Sequence, residues 1–302
     1  EVATFATLME QVRHRSRAVG SGADARQTLV DIVQRQRLSA TRFVGYGRTE
    51  TILGAPGRPG GMGLRLYKRT EDGYQLADWV HAGDQVAVVV DATPFYAEAG
   101  GQVGDTGVFE TMGESRVEVT DTIKIGDVIF HLGKVVHGQL KSGPAVPVAL
   151  AVDRNRRAKI MPNHTGTHLL NRALRVHVNP RTDQKGSLVD DQKLRFDFSH
   201  PTPLTAEQVA AVEQMVNADI AADLPVYAAE APQAVASKIR GLRAVFGERY
   251  PPQVRVVSIG VPVEDLLVDP QSNDWLDYSI EFCGGTHLRK TGEAEGFVIV
   301  SE

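Results

Sequence analysis

From about Thr41 to Asp153 the apolar residues come in short runs, "GLRLYKR", "QVAVVVDA" and "AVPVALAVD", separated by glycine and proline. Runs of that length and spacing predict β-strands, and their number over about a hundred residues predicts a small β-barrel. Ahead of them, Phe5, Leu8, Met9 and Val12 recur at helical spacing, and a second helical stretch follows "GSG" near Ala23 to Arg37. Residues 1–38 therefore read as a helical arm, the remnant of a preceding domain. Beyond Asp153 helical and strand-like segments alternate.

In that last part, "KLRFDF" places Leu194, Phe196 and Phe198 on one side and Lys193, Arg195 and Asp197 on the other, as a half-buried antiparallel strand requires. A helix is expected to begin at Thr205, where Gln208 completes a capping box, Leu204 and Val209 form a staple, and Val209, Val212, Val216 and Ile220 make a buried stripe. "QVRVVSIG" and "GFVIVS" read as two further strands. The whole predicts an α+β chain: a helical arm over 1–38, a β-barrel domain over 39–152, and an α/β layered domain with a mainly antiparallel sheet over 153–302. "GAPGRPGGMG", Gly54 to Gly63, reads as a hairpin tip rather than a phosphate cradle, since no helix follows it.

Composition narrows the class. The chain is 42% hydrophobic and 23% charged, as globular proteins are, and no apolar run approaches the roughly 18 residues of a membrane span. The first residues are too charged for a secretory leader, so a cytoplasmic protein is expected. The chain lacks an initiator Met and stops within the strand-like run Phe297 to Ser301, and so reads as a piece cut from a longer protein. A single cysteine, Cys283, excludes an internal disulfide framework and suits a reducing compartment. The net charge of −4 carries no global signature of nucleic-acid binding. Basic residues nevertheless cluster between Asp153 and Phe198, among them Arg172, Arg175, Arg181, Lys185, Lys193 and Arg195. They form either a solvated face or a local contact for a polyanion.

Candidate chemistry begins with "HTGTHLLNRALR", His164 to Arg175, at what reads as the start of a helix. On a helical wheel His164, His168, Asn171, Arg172 and Arg175 share a polar stripe opposite Leu169, Leu170, Ala173 and Leu174, so the histidines are expected to face away from the core. Histidines four apart lie one turn apart, about 5–6 Å between Cβ atoms, and can share an ion. The glutamate of zinc proteases is absent, Thr165 standing in its place. The other half of a site is "CGGTH", Cys283 to His287, where two glycines allow a tight turn to bring thiolate and imidazole together. Three imidazoles and one sulfur match the tetrahedral preference of Zn²⁺. Four protein ligands ordinarily close a structural site, and the sequence leaves open whether this one is structural or catalytic.

The order "HTGTH", "QKGSLV", "LRFDFSH", "GLRAVFGERY" and "EFCGGTHLRKTG" resembles the editing domain of alanyl-tRNA synthetases, and "TPFYAEAGGQVGDTG", Thr93 to Gly107, resembles the glycine-rich stretch of the β-barrel that precedes it. The resemblance covers nearly everything after residue 40. It implies hydrolysis of mischarged tRNA(Ala), the seryl and glycyl esters, with the alanyl ester spared. It implies His164, His168, Cys283 and His287 as zinc ligands and Gln184 as a residue that holds substrate or water. Thr165 and Thr167 either read the serine hydroxyl or cap and pack the helix start. Gly100, Gly101 and Gln102 read as a glycine-rich hairpin, with approach to the pocket as the alternative; the "GGQ" tripeptide is shared with peptidyl-tRNA release factors. Arg172, Arg175, Lys185 and Arg195 would meet the acceptor-end phosphates of tRNA(Ala). Class II aminoacylation motifs are not recognisable, so no alanine activation is expected of this piece, although ATP binding would belong to the full-length ligase. The region through which that family dimerises is missing too, which leaves a monomer as an expectation. Alternatives are a free-standing or threonyl-type editing protein, and a zinc-stabilised tRNA-binding module without catalysis.

Overall fold

The structure, a computed structural model, describes residues 25–53, 63–111, 113–143, 147–244 and 250–302. The helical spacing of Phe5 to Val12, the Gly54 to Gly63 tip and the middle of "GLRAVFGERY" lie outside the described residues. The chain divides into two compact units, one holding Glu1–Ala97 and Gly104–Asp153, the other Glu98–Val103 and Arg154–Glu302. Among the described residues no helix is long and apolar enough to cross a membrane.

The first unit is mostly sheet. A helix, α1, spans 25–36. The strands follow as β1 (Arg42–Phe43), β2 (Glu50–Leu53), β3 (Arg65–Thr70), β4 (Gly73–Ala77), β5 (Trp79–His81), β6 (Gln85–Val89), β7 (Ala92–Thr93), β8 (Gly107–Thr111), β9 (Ser115–Ile125), β10 (Val128–Lys141) and β11 (Val148–Val152). β1 and β7 pair in parallel. The rest form one sheet in the order β2-β11-β8-β9-β10-β6-β3-β4, with β5 on the far end of β10. Alternation sorts its side chains into two cores. Leu66, Val86, Val88, Phe109 and Val135 pack on one face, while Tyr67, Ala87, Val89 and Phe130 pack on the other with Ala25 and Leu29 of α1.

The closed barrel expected here is corrected to an open sheet. Among the described residues the strand order ends at β2 and at β4 without returning on itself. β10 bends at two irregularities, between Leu132 and Gly133 and between Val135 and His137, and pairs with β9, β6 and β5 along its length. Bulges of this kind bend a strand and sharpen its twist, which suits a strand that pairs with three neighbours along its length. Local alternation specifies strands and faces. Closure depends on whether the first and last strands meet, and no short-range pattern encodes that.

The second unit contains α2 (Arg154–His177), β12 (Gln184–Val189), β13 (Leu194–Phe198), α3 (Ala206–Ala221), β14 (Val226–Pro232), α4 (Gln233–Ala236), β15 (Gln253–Ile259), α5 (Val263–Val268) and β16 (Ser279–Phe282). β12 and β13 form an antiparallel pair, and β14, β15 and β16 a three-stranded antiparallel sheet. α2 and α3 bury Leu169, Leu170, Ala173, Val212, Val216 and Ile220 against each other and against Phe196 and Phe198 of β13. The expected capping box is present: Thr205 Oγ1 accepts from Gln208 N–H at 3.2 Å, and Gln208 Oε1 accepts from Thr205 N–H at 2.9 Å. Val209, placed in the stripe by its spacing, is only half-buried.

Two expectations fail locally. α2 starts ten residues before His164, at Arg154, and continues through Pro162, so the histidines are interior rather than at a helix start. Proline reads as a boundary because it lacks an N–H and crowds the preceding turn; here tertiary packing on both sides of α2 outweighs that cost. "GFVIVS" is not a strand. Phe297 and Ile299 do bury against the α2/α3 core, but their backbone N–H groups donate to Asn217 Oδ1 at 2.9 Å and Glu213 Oε2 at 2.8 Å. Side chains of α3 take the role that a neighbouring strand would have played.

Candidate metal centre

α2 is buried on both arcs of its middle section. His164 and His168 are each 4% exposed, and Thr165, Thr167 and Asn171 are buried as well. The polar stripe does lie opposite the leucines, but at His164, His168 and Asn171 it is buried, which corrects the expectation of histidines facing outward. Residues buried this deeply need polar partners. Those partners come from two places distant in sequence, the segment 98–103 and the stretch through β16.

Along β16, alternation puts Glu281 and Cys283 on the same side. The turn that follows requires its glycine: a Cβ on Gly285 would stand 2.0 Å from His164 Cε1 and 2.9 Å from Gln102 Oε1. Arg255 Nη1 donates to Cys283 O at 3.0 Å and Gly285 O at 2.9 Å, fixing the backbone of the turn. In the 98–103 segment Gly100 and Gly101 adopt φ of 58° and 84°, and Val189 N–H donates to Gly101 O at 2.8 Å. The hairpin expected for Gly100, Gly101 and Gln102 is thus a tight turn, and it carries fully buried Gln102 to His164.

One donor atom from each of His164, His168, Cys283 and His287 lies within 4.8 Å of all the others. Cys283 Sγ is 3.3 Å from His164 Nε2 and 3.3 Å from His287 Nε2. Ligands of a tetrahedral zinc ion, at about 2.0–2.3 Å from it, stand about 3.3–3.8 Å apart, so the cluster is near that size. The backs of the rings are held. His164 Nδ1 donates to Gln102 Oε1 at 2.6 Å, an oxygen that also accepts from Thr286 N–H at 2.9 Å. His168 Nδ1 lies 2.5 Å from Glu281 Oε2, and Thr165 Oγ1 is 3.5 Å from His287 Nδ1. Both ring nitrogens of His168 are buried without a well-aligned hydrogen bond, Nδ1 against the Glu281 carboxylate and Nε2 on the side of the other donors. Such an atom on the inner side of an N₃S donor set fits a metal ion.

The charges agree with that reading. Burial alone would raise the Cys283 thiol, but His164, His287 and His168 hold it well below its ordinary value. Burial would lower His168, yet Glu281 and Cys283 outweigh it and carry the ring up to about 10, so a metal ion binding at Nε2 would have to displace a proton there. His287 is pushed down to about 3, chiefly by burial, and so offers a lone pair. A thiolate and neutral imidazole are the forms that bind metal.

The remaining candidates scatter around this centre. Gln184 lines a small cleft with Asn171, Arg175, Arg243 and Glu281, and its Nε2 donates to Ser187 Oγ at 3.1 Å. Thr165 Oγ1 accepts from Leu288 N–H at 3.1 Å, and Thr167 Oγ1 donates to Asn163 O at 2.8 Å. Neither caps a helix start. Of the basic residues, Arg172 donates to Asp219 at 2.7 Å, Arg195 grips Asp197 with two bonds of 3.0 Å, and Arg175 stands 3.5 Å from Asp183. Lys185 is exposed on β12. Carboxylates thus accompany Arg172, Arg175 and Arg195, and of these Arg175 shares the cleft with Gln184. Glu281, Asn171 and Thr286 went unpredicted as site residues. The period of two in "EFC" was a usable signal for Glu281.

Comparison with known proteins agrees with this geometry. Residues 1–156 match the family described as tRNA synthetases class II (A), and residues 254–302 match the threonyl and alanyl tRNA synthetase second additional domain. The alanine–tRNA ligase of Granulibacter bethesdensis is 42% identical over 306 aligned positions, covering all of this chain and 32% of that protein. The Mesorhizobium japonicum ligase is 40% identical, again over 100% of the chain and 32% of the relative. That of Candida albicans is 45% identical over 232 residues, 76% of this chain and 24% of the relative. The chain spans between a quarter and a third of the length of these relatives. With more than half of its length matching the family and alanine–tRNA ligases aligning along all of it, the chain belongs to the alanyl-type class II tRNA synthetases.

Proposed function

We propose that the second unit is a hydrolytic editing domain that deacylates seryl- and glycyl-tRNA(Ala) and spares alanyl-tRNA(Ala). The observation that carries this reading is the convergence of His164, His168, Cys283 and His287 beside a cleft lined by Gln184, in a chain whose residues 254–302 match the additional domain named for threonyl and alanyl synthetases. The relatives are alanine–tRNA ligases, which favours the alanyl over the threonyl assignment. An alanine-charging site cannot reject one added hydroxyl by more than about a hundredfold, whereas a site that hydrogen-bonds that hydroxyl can discriminate by about 10⁴ or more, which is why a second sieve is needed.

Bound zinc would supply Lewis-acid polarisation of a water or of the ester carbonyl. The chain's own residues do the rest. His164, His168, Cys283 and His287 would hold the ion, and Gln184, braced by Ser187, orients the aminoacyl group or the water. Water oxygen adds to the ester carbonyl, the bond to the ribose oxygen breaks, and that oxygen takes up a proton, leaving free amino acid and intact tRNA. Thr167 has given its hydroxyl hydrogen to Asn163 O and can only accept, so it is suited to a serine hydroxyl and indifferent to alanine. Thr165 shapes the wall by holding Leu288 N–H. Arg172, Arg175, Lys185 and Arg195 supply salt-sensitive contact to the acceptor end.

The test is deacylation of purified seryl-tRNA(Ala) and alanyl-tRNA(Ala) by the purified chain. Loss of the seryl ester faster than buffer, with the alanyl ester untouched, is expected; equal slow loss of both refutes editing. Four protein donors, His164 and His168 buried and Cys283 and His287 half-buried, also favour a second reading, a zinc clamp on a tRNA-binding module. In that case tRNA binds, chelation unfolds the domain, and no ester is cleaved.

A further inference from the structure

We infer that Glu281 is a positioning residue of the metal centre, holding His168 by Nδ1 so that Nε2 faces the point where His164, Cys283 and His287 converge. The inference rests on the metal reading above and deepens it. Glu281 is 6% exposed, and both its oxygens are used: Oε2 lies 2.5 Å from His168 Nδ1, and Oε1 accepts from Asn171 Nδ2 at 2.9 Å. His168 and Asn171 are neighbours on one face of α2, three residues apart. The carboxylate therefore spans two positions of the helix. Its own backbone is fixed opposite Val257 in the β15–β16 pair and beside Arg243, whose N–H donates to Ile280 O at 2.8 Å. The sheet thereby sets where the carboxylate stands, and the carboxylate sets the ring.

The three rings are not equivalent in this respect. His164 has a neutral amide behind it, and His287 a threonine hydroxyl at 3.5 Å. Only His168 has a carboxylate. A carboxylate on the outer nitrogen selects the tautomer with Nδ1–H, leaves the Nε2 lone pair inward, and makes that nitrogen a stronger donor; losing such a partner ordinarily costs about 10–100-fold in metal affinity. The buried, unbonded Nε2 of His168 is the atom so presented.

The experiment uses the full chain, stripped of metal by chelation, and titrates zinc against a chromophoric competitor in wild type, E281Q and E281A. A second readout is the visible spectrum with cobalt in place of zinc. E281A is expected to bind about a hundredfold more weakly and to lose intensity in the cobalt bands as His168 swings away. E281Q, which can accept from Nδ1–H but lacks the charge, is expected to lose about tenfold and to keep the tetrahedral spectrum. Should E281A fail to fold by circular dichroism, E281Q decides. Wild-type affinity and spectrum in folded E281Q overturn the inference and leave the metal reading standing. A wild-type chain that takes up no zinc overturns the metal reading itself.

Discussion

His131 in the first unit and His168 in the second are both shut off from solvent, and they have opposite uses. His131 Nδ1 donates to Val88 O at 2.9 Å, and Nε2 accepts from Thr93 Oγ1 at 2.7 Å, while Thr93 Oγ1 accepts from Phe95 N–H at 3.1 Å. The ring is flanked by Phe95 and Phe109 at centroid distances of 5.3 Å and 4.9 Å. Every polar atom of that ring is satisfied, so it serves the core. His168 has a carboxylate behind it and an inner nitrogen with no hydrogen bond, facing two more imidazoles and a thiol. Burial alone does not separate a core histidine from a candidate ligand; the number of ring nitrogens left without a hydrogen bond does, none at His131 and both at His168.

The largest expected effect breaks the comparison by removing the ion that the second cluster would hold, or one of its donors. Chelation, or Cys283→Ala, should cost the second unit about 4 kcal/mol if zinc is present at a thousandfold over its dissociation constant. Thermal unfolding followed with and without chelator should show one transition fall while the first unit's stays in place. Metal analysis of the variant should show zinc and deacylation lost together. Full zinc occupancy in Cys283→Ala would remove the thiol from the ligand set.

How much of this could be read from the chain follows the same division. The capping box at Thr205, the strands β3, β6, β11, β13 and β15, and the two halves of the His/Cys cluster rest on short-range patterns and were legible. The open edges of the large sheet were not, because nothing in "GLRLYKR" or "AVPVALAVD" records which strands fail to meet. Nor was the burial of the polar arc of α2. A helical wheel sees one helix, and whether Gln102 and Glu281 cover its far side is decided by contacts 62 and 110 residues away. "GFVIVS" misled for a related reason: it is a short, β-branched apolar run of the kind a strand has, but Asn217 and Glu213 answer its backbone.

A smaller effect tests the other histidine. Burial pushes His131 down to about 4 against an ordinary value near 6.5. The unfolded chain therefore binds the extra proton first, so stability is fully present above about pH 6.5 and falls as pH drops toward 4. Integrated over that window the loss is about 3 kcal/mol. Urea unfolding of the first unit at intervals from pH 7 to 4 should show this slope, and His131→Gln should flatten it. An unchanged slope in the variant would assign the acid sensitivity to other groups.

The smallest effects come from the threonine that each cluster sets against a histidine. Thr93→Val leaves His131 Nε2 and the Phe95 N–H without partners in a closed core, a cost of about 2 kcal/mol. Thr165→Val removes only a 3.5 Å contact to His287 and the acceptor for Leu288 N–H, so about 1 kcal/mol is expected, measured in the same unfolding experiment. The informative readout for Thr165 lies elsewhere. If it only shapes the wall, Thr165→Val should keep its zinc and its preference for the seryl over the alanyl ester, and Thr167→Val should lose that preference, because the Thr167 hydroxyl has its hydrogen committed to Asn163 O and both lone pairs to offer, whereas one lone pair of Thr165 is taken by Leu288 N–H. The reverse pattern, preference lost with Thr165 and kept without the Thr167 hydroxyl, would move the reading of serine to the residue that backs His287 and would tie substrate choice directly to the set of the metal ligands.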